Sequence, residues 1–231
     1  MIVVMPDGGF NGWYSDWFGS DLDGHTPYPP PAWETHHLRE LLPWVDGHLR
    51  TVPTRESRAI AGLSMGGFGT MSYAARNPEL FGAAGAFSGG VHPTLLYPSV
   101  ALVLSGTNLP YGRPLDLCVR GNPFTKYRNW AAHDPTRLAG ELQDTHLYVA
   151  TGTGTPSDPD DLDAGLLGAA GIEGVVLLMN LEFRRALDKA GADYTWDVHS
   201  GTHTWRYWPE DLRRFLTHLD GWQGRTEAAR R

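Results

Sequence analysis

Short apolar runs recur along this chain and are separated by longer stretches with a three- to four-residue apolar period. Four runs have the composition of strands that are buried on both faces of a parallel sheet: 2–5, 59–61, 83–87 and 146–150. A fifth segment, Tyr194–Val198, alternates apolar and polar residues as a half-buried strand does. These segments predict a sheet of at least five strands.

Amphipathic segments lie between and after these runs. Apolar residues recur at helical spacing in 33–50, 68–77, 172–189 and from Pro209 onward, and Pro43 is expected to kink the first of these helices. The predicted apolar stripes of the last two helices are Val176, Met179, Phe183 and Leu187, and Leu212, Phe215, Leu216 and Leu219. Strands that alternate with helices at this spacing form right-handed crossover units. The pattern therefore predicts an α/β fold with a mostly parallel central sheet flanked by helices.

Chain length and composition indicate one domain. A chain of 231 residues with 41% hydrophobic residues buries a large core, so we expect a single domain over 1–222. The segment 91–127 is rich in Pro, Tyr, Leu and Gly and is too long for a plain connection, which predicts a lid or pocket-wall insertion. The last residues, 223–231, are expected to form a flexible tail.

Charge and apolar patterning argue against several classes of partner. The net charge of −7 and the absence of an internal Lys/Arg cluster argue against nucleic-acid binding. No apolar run approaches transmembrane length, and Met1–Pro6 lacks the basic start of a signal peptide. Cys118 is the single cysteine, which precludes an intrachain disulfide and leaves the redox compartment open. Localisation and oligomeric state also stay open.

The pentapeptide Gly62–Gly66 has the pattern G-x-S-x-G, with Ser64 at its centre. A predicted strand precedes it and a predicted helix follows it, as in the nucleophile elbow of α/β-hydrolases. Glycines at both ends let strand and helix approach closely and tolerate unusual backbone angles. This context makes Ser64 a candidate nucleophile, provided that an acid and a histidine follow it.

A serine hydroxyl needs a general base, and the chain order of α/β-hydrolases places that base after the acid. His199, His203 and His218 fulfil this condition. His203 is favoured because it lies in a Gly-containing loop between the last strand and the last helix. His199 and His203 do not have the helical spacing of a metal pair, since Gly201 lies between them, so no metal is expected.

The residues alone leave the acid open. Asp158, Asp160, Asp161 and Asp163 follow a predicted strand, and Glu173 begins the next helix. Spacing slightly favours Asp158. Most of these acids are expected to be ordinary loop residues or helix caps.

Several blocks resemble the esterase D / antigen 85 branch of the α/β-hydrolases, particularly the mycolyltransferase type. The most specific are the Gly-Thr-His-Thr-Trp and Gly-Thr-Pro-Ser-Asp blocks. The matching pieces, which run nearly end to end, are Val4–Pro6 with Tyr14–Trp17, Trp33–Thr35, Gly62–Met65, Asn77–Pro78 with Phe81, Asp134–Thr136, Gly154–Asp158, Ile172–Gly174 with Asn180, and Gly201–Trp205 with Tyr207–Trp208.

The resemblance implies a triad of Ser64, Glu173 and His203, with Asp158 as the second choice for the acid. It implies that the backbone N–H of Met65 contributes to the oxyanion hole and that Trp205 borders the substrate. The expected activity is carboxylic ester hydrolysis or acyl transfer of the mycolyltransferase/diacylglycerol acyltransferase kind. The expected partner is a small-molecule or lipid/sugar ester, and no cofactor is expected.

The beginning of the chain departs from the family pattern. Family members have strands before the one predicted at Ile2–Met5, and a loop there supplies the second oxyanion-hole donor, so we expect an N-terminally shortened fold. One lost donor typically costs about 10²–10³ in rate. An alternative function is therefore a weakly active or inactive hydrolase-fold protein that binds a glycan or lipid.

Overall fold

The computed structural model describes residues 1–19, 29–106, 117–157 and 166–229, and for 166–167 and 223–229 it describes only the backbone. The chain divides into two compact units. The first unit comprises Met1–Pro53 and Pro93–Asp134, and the second comprises Thr54–His92 and Pro135–Arg231. The motif around Ser64 and the predicted partners of Ser64 belong to the second unit.

A four-stranded parallel sheet forms the centre of the second unit. Its strands are β1 (Ala59–Leu63), β2 (Ala83–Phe87), β3 (His146–Gly152) and β4 (Tyr194–His199), in the order β1-β2-β3-β4. These strands confirm four of the five sequence-predicted segments. Because the sheet is parallel, the carboxyl ends of all four strands meet at one edge, where α/β proteins place their functional residues.

Three helices of the second unit pack their apolar faces inward. They span Met65–Arg76, Leu166–Ala190 and Trp208–Ala229, which confirms the helices predicted there. The predicted stripe of the second helix is buried: Val176, Met179, Phe183 and Leu187.

The stripe of the last helix differs from the prediction in its first turn. Leu212 is 44% exposed, whereas its neighbour Asp211 is 1% exposed and takes the inward position. Phe215 is buried as predicted and lies against β2, where a Cβ on Gly85 would come within 2.8 Å of the Phe215 ring. The helix backbone continues to Ala229, so most of the segment 223–231 is helical.

The first unit contains the helix predicted at 33–50, which is built from three consecutive pieces. Trp33–Thr35 is α-helical, His36–Leu41 is π-helical and Leu42–His48 is α-helical again. The π-helical segment ends two residues before Pro43, a residue that has no N–H to donate to the preceding turn. The irregularity therefore lies where the proline predicts it.

An arginine and the single cysteine are buried in the first unit. Arg120 is 1% exposed, with its guanidinium carbon 5.5 Å from the Trp13 ring centroid and 5.4 Å from that of Trp130. Ser15 accepts a hydrogen bond from Arg120 at 3.2 Å. Cys118 is 5% exposed.

The prediction of a strand at Ile2–Met5 was wrong. These residues form no strand, and all four are exposed. An apolar run becomes a buried strand only where a neighbouring strand accepts its ladder hydrogen bonds, and within the described residues this run has no ladder partner.

The domain organisation stays a prediction. Residues 107–116 of the segment 91–127 lie outside the described chain, and the helix Ser99–Ser105 lies inside it. Within the described residues, no helix is both long enough and apolar enough to span a bilayer.

Candidate active site

Ser64 lies at the sharp corner between β1 and the helix Met65–Arg76. Its φ of 50° and ψ of −115° are unusual for a residue with a side chain. Hydrogen bonds fix this backbone, because the N–H of Ser64 donates to the carbonyl of Phe87 at 2.8 Å and the N–H of Gly90 donates to the carbonyl of Ser64 at 3.3 Å. The corner has the strand–turn–helix form predicted for a nucleophile elbow.

Two glycines are required by the close approach of backbone segments at this corner. A Cβ on Gly62 would lie 2.4 Å from the carbonyl oxygen of Gly66, inside the turn itself. A Cβ on Gly67 would lie 2.7 Å from the Cα of Gly89, which follows β2. Neither obstacle is a flexible side chain, so any larger residue would displace the corner.

His203 joins Ser64 to Glu173. The Nε2 atom of His203 is 2.7 Å from the Oγ of Ser64, and its Nδ1 atom is 2.6 Å from the Oε2 of Glu173. A carboxylate only accepts hydrogen bonds, so Nδ1 bears the proton and Nε2 is left to accept from the serine hydroxyl. The backbone N–H of His203 also donates to the carbonyl of Ala169 at 3.2 Å, which ties its loop to the helix of Glu173.

Glu173 is fully buried, and its other oxygen is surrounded by donors. Oε1 accepts from the hydroxyl of Ser88 at 2.7 Å, the N–H of Gly152 at 2.6 Å and the hydroxyl of Thr151 at 3.1 Å. Burial acts to raise the pKa of Glu173. The hydrogen bonds from His203, Ser88 and Gly152 outweigh burial, so the pKa of this carboxyl lies below its ordinary value. Glu173 is therefore a charged acceptor at neutral pH.

The hydrogen bond from Ser88 to Glu173 was not foreseen from the sequence. In the sequence Ser88 was only a residue at the end of a strand. The register places Phe87 between Leu63 and Ala150, so Ser64, Ser88 and Thr151 follow these three residues in one row at the carboxyl edge. Ser64 and Ser88 directly follow their strands, whereas Thr151 is the last residue but one of β3, so the row of hydroxyls is recognised only when the strands are aligned.

Asn180 is a second residue whose contacts were not foreseen. It was part of the family resemblance, without an assigned role. It is fully buried on the helix of Glu173 and donates from Nδ2 to the carbonyl of Gly89 at 2.9 Å. The helix that contains Glu173 is thereby joined to Gly89, which packs against Gly67 of the helix after Ser64.

The other candidate histidines do not contact Ser64. His199 lies 2.9 Å from Asp211, and His218 stacks on His146 with ring centroids 4.2 Å apart. Asp158, the acid that spacing favoured, lies outside the described residues, as do Asp160, Asp161 and Asp163. Within the described part of the chain, His, Cys, Asp and Glu form no group of three or more that could hold a metal.

Two further residues of the predicted site are close in sequence to Ser64 and His203: Met65 directly follows Ser64, and Trp205 lies two residues after His203. Met65 is the first residue of its helix, where backbone N–H groups have no intrahelical acceptor. Trp205 is 72% exposed, and its ring meets the ring of Trp208 at 5.2 Å in an edge-to-face arrangement. Trp208 in turn packs at a right angle against the His203 ring, at 5.1 Å.

Relatives of this chain include esterases and acyltransferases of mycobacteria. Esterase Rv1288 of Mycobacterium tuberculosis is 34% identical over 89% of this chain and 42% of its own length. Diacylglycerol acyltransferase/mycolyltransferase Ag85A of Mycobacterium gordonae is 33% identical over 98% of this chain and 65% of its own length. The chain thus spans between two fifths and two thirds of the length of these relatives.

Solved structures show the same fold. MPT51 (FbpC1) of Mycobacterium tuberculosis matches with a TM-score of 0.70 and 25% identity, over 94% of this chain and 75% of that one. An S-formylglutathione hydrolase of Agrobacterium tumefaciens matches with a TM-score of 0.61 and 20% identity, over 93% and 63%. The family model described as "Putative esterase" matches residues 1–219. The chain belongs to this Esterase family and has the α/β-hydrolase fold.

Proposed function

We propose that this chain catalyses serine-dependent acyl transfer through an acyl-enzyme on Ser64, either as a carboxylic ester hydrolase or as an acyltransferase. One observation supports this most directly: the continuous hydrogen-bonded series from Ser64 through His203 to the buried Glu173. The family and its acyltransferase relatives agree with this chemistry.

In the first half-reaction, Nε2 of His203 removes the proton from the hydroxyl of Ser64 as the oxygen attacks the ester carbonyl. The tetrahedral intermediate collapses when the same imidazole gives that proton to the leaving alcohol. Glu173 holds the imidazole in the required tautomer and stabilises its positive charge. The donors on Oε1 of Glu173 keep the carboxylate charged and in place while this occurs.

The helix after Ser64 stabilises the negative charge of the intermediate. The free N–H of Met65 lies at the positive end of this helix, beside the nucleophile, and is the proposed oxyanion donor. The strained backbone of Ser64 fits this role because it fixes the serine and the following N–H in one rigid turn.

The second half-reaction decides between hydrolysis and transfer. Water as the acceptor yields a free acid, whereas a sugar or glycerol hydroxyl yields a new ester. The Ag85A relative is named a diacylglycerol acyltransferase and a mycolyltransferase, so a lipid or sugar ester is the proposed substrate class. The exposed ring of Trp205, next to the Trp208–His203 contact, is the proposed substrate-binding surface.

The test uses short-chain p-nitrophenyl esters with wild type and Ser64→Ala. Turnover that disappears in the variant, together with a covalent fluorophosphonate adduct on Ser64 in wild type, is the expected result. Absence of both would instead favour a glycan- or lipid-binding protein of hydrolase shape. Glu173→Gln and Asp158→Asn, compared in the same assay, test the acid, and a larger loss for Asp158→Asn would contradict the proposed triad.

A further inference from the structure

A second histidine–carboxylate pair lies at the base of the loop that contains His203. His199 is the last residue of β4 and Asp211 lies in the first turn of the last helix. The Nε2 atom of His199 is 2.9 Å from the Oδ1 atom of Asp211. The pair therefore joins the two ends of loop 200–207, with His203 near the middle.

The contacts of His199 fit its charged form. Nε2 faces the carboxylate of Asp211, and Nδ1 is 3.0 Å from the carbonyl oxygen of Ser200. Both oxygens only accept hydrogen bonds, so an imidazole with a proton on each nitrogen satisfies both contacts, and a neutral one satisfies a single contact.

Asp211 depends on this charge. Its side chain is 1% exposed, and its Oδ2 atom has no hydrogen-bond partner among the described residues. A buried carboxylate needs a positive or donating partner, because isolated burial of a charge is strongly unfavourable. His199 is the group beside Asp211 that meets this need, and its charged form also compensates the negative charge of the carboxylate.

The remaining charged groups around His199 act in the same direction. The hydrogen bond to Asp211 raises the pKa of His199 above its ordinary value and outweighs burial, which lowers it. The Ser200 carbonyl and the carboxylate of Asp197 on β4 also raise it. The Oδ2 atom of Asp197 accepts hydrogen bonds from the hydroxyl of Tyr148 at 2.7 Å and from the guanidinium of Arg214 at 3.0 Å. Asp197 therefore acts on His199 through its charge and not through a hydrogen bond.

Tight packing transmits the position of this pair to His203. A Cβ on Gly201 would lie 3.0 Å from the Tyr207 ring and 3.1 Å from Nδ1 of His199, so the loop backbone is enclosed between these two rings. Tyr207 directly precedes Trp208, whose ring packs against that of His203 at 5.1 Å. If the helix start moved away from β4, the support of the His203 ring would move with it.

We propose that His199 is a positioning residue, which in its charged form holds Asp211 and the start of the last helix so that His203 stays within reach of Ser64. This inference rests on the proposed function, because it concerns the same reaction. The two histidines need opposite protonation states, since His203 accepts a proton only when neutral. The reaction is therefore expected to decline at alkaline pH, where His199 loses its proton.

The experiment compares pH profiles of kcat for wild type, His199→Ala and His199→Gln with a p-nitrophenyl ester, corrected for spontaneous hydrolysis. Misplacement of a catalytic group by about 1 Å costs up to about 100-fold, so His199→Ala is expected to lower kcat about 10- to 100-fold with little change in KM. Glutamine donates one hydrogen bond to Asp211 but carries no charge, as a neutral His199 does. His199→Gln is therefore expected to show, at every pH, a kcat close to that of wild type at alkaline pH, and so to lose the alkaline decline.

The matched control is His36→Ala, which removes an exposed histidine–carboxylate pair in which Nδ1 lies 2.8 Å from Glu40. It is expected to leave the profile unchanged. Wild-type kcat and an unchanged alkaline limb in His199→Ala would overturn the inference. If His199→Ala does not fold, as judged by circular dichroism, a folded His199→Gln that keeps the alkaline limb would overturn it equally.

These outcomes are distinct from failure of the proposed function. In that case wild type itself would show no turnover above Ser64→Ala and no fluorophosphonate adduct, and both proposals would fall together. An active wild type with insensitive His199 variants overturns only the positioning role.

Discussion

Ser64 and Ser88 occupy equivalent positions on neighbouring strands but have different partners. Each directly follows the last residue of its strand, and each has a positive φ, of 50° and 45° respectively. Ser88 is 2% exposed and donates its hydroxyl to Glu173. Ser64 is less buried, begins a helix, and has its hydroxyl 2.7 Å from the imidazole of His203.

The difference indicates that the strained corner does not by itself make a serine reactive. A carboxylate partner uses the hydroxyl proton of Ser88 to stabilise its own negative charge, which leaves that proton in place. An imidazole partner can remove the proton of Ser64, and the following helix offers N–H groups to the oxygen that becomes charged. One row of hydroxyls at the sheet edge thus provides the proposed nucleophile and a support for Glu173.

The largest expected effect comes from removing the proposed nucleophile, Ser64. Ser64→Ala is expected to lower kcat by about 10⁴-fold or more, because no other hydroxyl in the row faces a base. Steady-state kinetics measures the loss of kcat, and peptide mapping of wild type treated with a fluorophosphonate identifies the serine that reacts. An adduct on Ser88 would contradict the inferred difference in reactivity between the two serines.

Glu173→Gln is expected to have the second-largest effect on kcat. The amide cannot stabilise the imidazolium and favours the wrong tautomer of His203, so kcat is expected to fall about 10²–10⁴-fold while folding is retained. Steady-state kinetics checks this. Glu182→Gln on the same helix, where the glutamate is 40% exposed, serves as the matched control and is expected to leave kcat unchanged.

Gly67→Ala tests the contact between the two corners. Its Cβ would lie 2.7 Å from the Cα of Gly89, and overpacking of this kind costs about 1–3 kcal/mol of unfolding free energy. Chemical denaturation measures the change. Gly171→Ala, in a helix with nothing within 4 Å of the added Cβ, is expected instead to stabilise by up to about 1 kcal/mol. Equal stability of both variants would contradict the tight contact.

Ser88→Ala should have the smallest effect. Gly152 and Thr151 still donate to Glu173, so we expect a loss of about 1 kcal/mol and at most a tenfold lower kcat. The control Ser72→Ala removes a buried hydroxyl that has no hydrogen-bond partner among the described residues, and it is expected to be neutral.

The same variant has a pH signature. The pKa of Glu173 is lowered in the folded state, so its stabilising contribution is present above the unfolded-state pKa and is lost as pH falls through the folded-state pKa. Ser88→Ala raises the folded-state pKa toward the unfolded value and so moves acid unfolding to higher pH. Acid titration followed by circular dichroism measures this midpoint, and an unchanged midpoint would show that Ser88 does not support the charge.

Local pattern and chain order predicted the sheet, its helices and the histidine that lies beside Ser64, because these follow from periodicity and from the topology of one fold. The acid needed a family resemblance. Spacing favoured Asp158, whereas the contact between Glu173 and His203 joins residues 30 positions apart and depends on how the long helix packs.

The sequence alone did not predict which strands pair or in which register they align. The apolar run Ile2–Met5 has the composition of a strand, but composition does not state whether a neighbouring strand is there to pair with it. Ser88 was overlooked for a related reason, since its position beside Ser64 exists only once β1 and β2 are aligned.

The single buried cysteine has a practical consequence for spectroscopy. Cys118 is the only thiol of the chain and is 5% exposed, so a cysteine introduced at the exposed Arg206 would react selectively with a thiol-directed label. A nitroxide or fluorophore at that position would lie three residues from His203. Its mobility, followed through an alkaline titration, would report the ordering of the loop directly and without turnover.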